Sequence, residues 1–111
     1  MNPHPSTIEY VAKVCSKPGM FMRNCDLTQL ESQIHGYDSA LFDAGLLEPH
    51  ESFNVAFADF IASEEGYSCS QGWALTLVRE HGAGAAAFKV FLSLLSAALP
   101  DRFHGIESGY Q

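Results

Sequence analysis

The sequence predicts an all-α fold, a compact single-domain bundle or orthogonal array of about five helices, and three observations carry that reading. Apolar residues recur at intervals of three and four along five segments, the period of a half-buried helix. Proline or glycine separates those segments at short intervals. Only residues 66–70 read as extended, too few to build a sheet.

The elements follow in order. Ser6-Thr7-Ile8-Glu9 has the spacing of a capping box, in which the Ser6 oxygen accepts from the Glu9 amide and the Glu9 side chain reaches back. Ile8, Val11, Val14 and Cys15 then share one face, and Pro18-Gly19 ends the helix near Ser16, because proline disfavours helical backbone in the residue before it. Met20 and Phe21 are expected to dock the connector on the core. Asp26 caps a second helix with Gln29 in the box position, and Leu27, Leu30, Ile34, Tyr37, Leu41 and Ala44 form its core stripe. Gly36 interrupts that pattern at a cost of about 1 kcal/mol against alanine, so close packing against a neighbouring helix is expected there. Gly45 stops this helix.

Pro49 suits the first turn of a third helix, whose apolar face is Phe53, Phe57, Phe60 and Ile61 and whose stop is Gly66. Ser70 is expected to cap a fourth helix carrying Trp73, Leu77 and Val78, which ends at His81-Gly82. A fifth runs from about Ala85 to Leu99 with Phe88, Phe91, Leu92, Leu95 and Leu99 inward. Val90 and Leu94 widen its apolar face enough to make it the central helix, and Pro100 ends it. Residues 1–5 and 101–111 lack a clear period and are expected to be loosely held.

Charge is distributed unevenly. The net charge is −7, yet from Arg23 to Arg79 there is no intervening lysine or arginine. That stretch holds Asp26, Glu31, Asp38, Asp43, Glu48, Glu51, Asp59, Glu64 and Glu65, whereas the rest of the chain has slightly more basic than acidic residues. A one-signed surface of this kind repels nucleic acid and anionic lipid and attracts a basic partner. Cys15, Cys25 and Cys69 form no CxxC pair and read as reduced, buried thiols. Met-Asn-Pro-His-Pro lacks the basic and apolar regions of a signal peptide, and the longest apolar segment is too short for a bilayer span, so a cytoplasmic, membrane-free location is expected.

The search for chemistry returns little. No two of His4, His35, His50, His81 and His104 lie three or four apart, so no metal site announces itself. Gly82-Ala83-Gly84 lacks the preceding strand and following lysine of a phosphate loop, and Glu64 and Glu65, adjacent on a helix, point about 100° apart. No cofactor and no catalytic residue is expected. What remains is a surface: Glu31, His35, Asp38 and Phe42, spaced four, three and four, share a helix face distinct from the Leu27 to Leu41 stripe. Two carboxylates that steer a basic protein and an aromatic that anchors it have the anatomy of an interface hot spot. Asp43, Glu64 and Glu65 come second as candidates for the same binding role.

Val14-Cys15-Ser16-Lys17-Pro18-Gly19-Met20-Phe21 resembles the opening of a group of small α-helical bacterial immunity proteins, with their Lys/Arg-Pro-x-Met-aromatic connector. The resemblance continues through Gly36-Tyr37-x-x-Ala40-Leu41, the Phe53 to Ile61 helix, Ser68-Cys69-Ser70-Gln71-Gly72-Trp73-Ala74 and the Ala86-Phe88-Phe91-Leu95 helix, covering roughly residues 6–99. Arg23 stands where the group often has glycine. The resemblance implies an immunity partner of a polymorphic toxin, including those of contact-dependent growth inhibition, acting by stoichiometric occlusion. Many such toxins are basic nucleases, which the acidic surface suits, and a monomer is the expected state. The rival readings are an adaptor or regulatory module for a basic host protein, a small enzyme built around His81, Trp73 and Cys69, and a structural subunit with a large apolar patch.

Overall fold

The computed structural model describes residues 1–109, and among these the only regular structure is helical. The five longer helices are α1 (Pro5–Ser16), α3 (Leu27–Asp43), α4 (Phe53–Glu65), α5 (Trp73–His81) and α6 (Ala85–Ala98); one-turn helices α2 (Pro18–Phe21) and α7 (Pro100–Phe103) follow α1 and α6. The Cα radius of gyration, 13.0 Å, is the about 13 Å of a compact chain this long.

Local starts differ from the expected ones in instructive ways. Pro5 occupies the first turn of α1 and forces His4 into extended backbone, so the His4 Nδ1 caps the helix, accepting from the Ser6 amide at 3.0 Å. Ser6 is therefore inside the helix, and Glu9 bonds Arg102 at 2.9 Å instead of closing a box. Met20 faces solvent at 74% exposure and Met22 takes its place in the core, because the one-turn α2 rotates the chain before it enters α3. Asn24 and Cys25 then hold φ of +56° and +55°, two successive non-glycine residues in the left-handed region. Each costs of order 1–3 kcal/mol and persists only under packing from its surroundings.

Asp26 caps α3 as its spacing predicts, accepting from the Thr28 amide at 2.9 Å, while Gln29 turns away to accept from the Arg23 amide at 2.8 Å. Leu27, Leu30 and Ile34 are buried as expected, but the buried line then runs on to Asp38; Tyr37 and Leu41 flank it half-buried and Ala44 is exposed. Gly36 is exposed with open space where a Cβ would sit, so no close helix approach explains it. Pro49 opens a separate 3-10 turn, Pro49–Glu51, and α4 starts afresh behind Ser52. Gly66 closes α4 at φ +73°.

The core lies where α3, α4, α5 and α6 meet. Phe57 is its hub: its ring centroid lies 5.4 Å from Phe53, 5.0 Å from Trp73 and 5.7 Å from Phe91. Trp73 stacks on Phe91 at 5.3 Å, with the indole N–H donating to Asn54. Helix α6 buries Ala87, Phe88, Phe91, Leu92, Leu94, Leu95 and Ser96 and is the central helix, as its wide apolar face predicts. Beyond Pro100, where the sequence shows no period, α7 buries Phe103, and the Gly105 amide donates to the Ser96 hydroxyl at 3.2 Å. At the other end Pro3 is buried.

Asp38 joins three of the long helices. It is 6% exposed; one oxygen accepts from the Thr7 hydroxyl of α1 at 2.5 Å, and the other from the Phe53 amide at the start of α4 at 2.8 Å. Replacing Asp38 with alanine strands two buried donors, each worth about 1–3 kcal/mol. Asp38→Ala is therefore expected to cost about 3 kcal/mol in urea denaturation, with Asp38→Asn milder; a loss below about 1 kcal/mol would contradict the tie.

Candidate partner-binding face

The four residues first expected to form an exposed face are divided by the structure. Glu31 is half-buried and works as the cap of α5: its Oε2 accepts from the Ala74 amide at 3.2 Å, although 43 residues separate the two in sequence. Ser70, the expected cap, stands in the preceding loop, and Gly72 occupies the capping position with no side chain to use. The backbone at Gly72 favours glycine. Its φ is +100°, and a Cβ would lie 2.8 Å from both Glu31 carboxylate oxygens. The Glu31 carbonyl accepts from Asn54 at 3.0 Å, and Asn54 in turn accepts from Trp73 at 2.9 Å, closing a ring of contacts among α3, α4 and α5.

Asp38, the third member of the face, points inward as described, and is removed from any surface role. The reason is register: Leu30, Ile34 and Asp38 are spaced by four, so Asp38 continues the buried line. His35, Phe42 and Asp43 are exposed, Phe42 at 51%. Two clefts meet at His35, one between α3 and α4 and the other between α3 and the 47–52 connection. One, of about 570 Å³, is lined by Glu31, Ser32, His35, Val55, Ala58 and Asp59; the other, of about 210 Å³, by His35, Ser39, Phe42, Asp43, Leu47 and Glu48. Val55, 54% exposed, and Asp59 belong to this surface and were not singled out from sequence. The signal was available: both sit on α4 off the Phe53, Phe57, Ile61 stripe.

The nine acidic residues of the cation-free stretch fall into two groups. Asp26, Glu31, Asp38 and the Glu48/Glu51 pair engage backbone amides at helix or 3-10 starts. Asp43, Asp59, Glu64 and Glu65 are exposed and, among the described residues, make no side-chain hydrogen bond or ion pair. The described ion pairs, Arg79–Glu80 and Arg102–Glu9, lie outside this set. Glu64 and Glu65 sit in the last turn of α4, where the helix dipole is negative, so each is unfavourable by about 0.3–1 kcal/mol. They line neither cleft.

Elsewhere, Trp73 is fully buried, His81 meets the Tyr67 hydroxyl at 3.5 Å, and Cys69 lines the cleft beside Glu31. Among the described residues no group of three His, Cys, Asp or Glu side chains could hold a metal ion, and no helix is long and apolar enough to cross a membrane. Burial pushes the Cys15 thiol up to about 12, with Arg102 opposing it weakly.

Two outcomes are expected. Glu31→Ala should lower stability by about 1–2 kcal/mol through loss of the α5 cap, and Gly72→Ala should also destabilise, through strain at its positive φ and displacement of the Glu31 carboxylate from the α5 start, both read by thermal or urea unfolding. Cys15 should react with a thiol reagent at pH 8 far more slowly in the native chain than in urea. Because its native value lies above the ordinary 9.0, stability falls as pH rises from about 9 to about 12; equal labelling rates would contradict the burial. No protein-family model, curated protein or solved structure matches this chain.

Proposed function

We propose that this chain is an immunity protein that neutralises a basic toxin domain, most simply a nuclease, by stoichiometric binding in the cytoplasm, without performing chemistry itself. One observation carries the reading: among the described residues Asp43, Asp59, Glu64 and Glu65 have neither a cation nor a helix start to stabilise them, and two of them flank exposed Phe42 and Val55. Free carboxylates beside an apolar anchor suit a cationic protein surface, steering it at long range and holding it at contact. A nuclease must carry such a surface to hold its substrate, and an antidote gains from fast association. The resemblance of residues 6–99 to small immunity proteins supports the same reading. Glu31 and Asp38 enter it as scaffold, and His35, Phe42, Asp43, Val55 and Asp59 as the binding surface, with Glu64 and Glu65 adding to its field.

The test is co-expression with the product of the neighbouring upstream gene. Toxicity of that product alone, its relief by this chain, and a complex that weakens with salt are expected. Asp43→Lys combined with Asp59→Lys should slow association by about tenfold or more at low ionic strength, and by less at high salt. A harmless neighbour that still co-purifies would favour an adaptor of a basic host protein. A harmless neighbour that ignores the chain would overturn both readings.

A further inference from the structure

Resting on the proposed binding of a basic protein, we infer that the groove centred on His35 receives a basic amphipathic helix of the partner, about three turns long. The two clefts share His35 and are both lined along α3. Helix α3 contributes Ser32, His35, Ser39 and Phe42 at spacings of three, four and three, one continuous stripe. From Ser32 to Phe42 a helix rises about 15 Å, the length of about three turns of an occupant lying along it. The opposite wall is Val55 and Ala58 of α4 in one cleft and the 47–52 connection, ending at Ser52, in the other.

The chemistry along the groove is ordered. Phe42, Val55 and Ala58 offer apolar surface along it, with Asp43 next to Phe42 at one end and Asp59 next to Ala58 at the other. Asp43 and Asp59 have no described partner. Covering them with a neutral or acidic segment would desolvate charges without return, so the occupant carries lysine or arginine near both ends and apolar residues between. Among the described residues the groove has no strand edge. An extended peptide would therefore leave its own amides and carbonyls poorly matched, whereas a helix satisfies them internally.

The experiment is a two-dimensional NMR titration of the full ¹⁵N-labelled chain with a synthetic amphipathic helical peptide. Its apolar face is leucine and both ends carry lysine; the control replaces each lysine with glutamate. Saturable shifts at the amides of His35, Phe42, Val55 and Asp59 are expected for the lysine peptide alone. Val55→Arg, an exposed site on α4, should weaken that binding about tenfold or more with unchanged circular dichroism and melting temperature. Shifts that map elsewhere, equal binding of both peptides, or no saturable binding would overturn the inference. So would the same residues shifting with protein concentration in the free chain, which identifies a second copy as the occupant. The two proposals fail separately. Val55→Arg that still protects against the toxin removes the groove and leaves immunity standing, whereas a harmless neighbour removes immunity and leaves the peptide result intact.

Discussion

From Asn24 to Val78 the chain contains no lysine or arginine, and neither of the described ion pairs involves a carboxylate of that stretch. The fold answers with backbone amides. Helix starts present unbonded N–H groups and the positive end of the helix dipole, and α3 with its cap residue delivers three carboxylates to three such starts. Asp26 serves α3 itself, Glu31 reaches α5, and Asp38 reaches the first amide of α4 while also holding Thr7 of α1. One helix thereby sets the placement of the long helices that surround it, and the aromatic cluster of Phe53, Phe57, Trp73 and Phe91 fills the space they enclose.

The same constraint separates scaffold from surface. A carboxylate committed to an amide is fixed in direction and shielded, and it contributes little to what an approaching protein meets. Asp43, Asp59, Glu64 and Glu65 are the remainder after the helix starts have been served, and they collect on α4 and at the end of α3. Formal charge alone does not draw that distinction.

Much of the fold was legible from periodicity. The lines Leu27, Leu30, Ile34 and Phe53, Phe57, Ile61, and the broad face of α6, are buried as their spacing predicts. Caps made by near neighbours could be read as well, as with Asp26. Caps assembled across the fold could not: nothing local to Gly72 says that a glutamate on another helix will serve α5, and Ser70 is the better local candidate. The candidate face was half legible for a related reason. Spacing of four, three and four places Glu31, His35, Asp38 and Phe42 along one side of a helix, but whether that side meets water depends on what packs against it. Asp38 extends the Leu30 and Ile34 line, and a polar residue in a buried register was the available warning. Beyond Pro100 the segment is too short to show a period, and Phe103 is held by contacts with α6 instead.

The two glutamates at the end of α4 make the unbound protein less stable than it need be, because they lie at the negative end of the helix dipole with no described cation beside them. On the proposed reading, a cationic partner near these residues would offset that penalty. Resistance to heat and strength of binding would then, on that reading, be opposed at the same two positions. A chain with lysines there would be sturdier alone and, on the same reading, a poorer ligand for a basic surface.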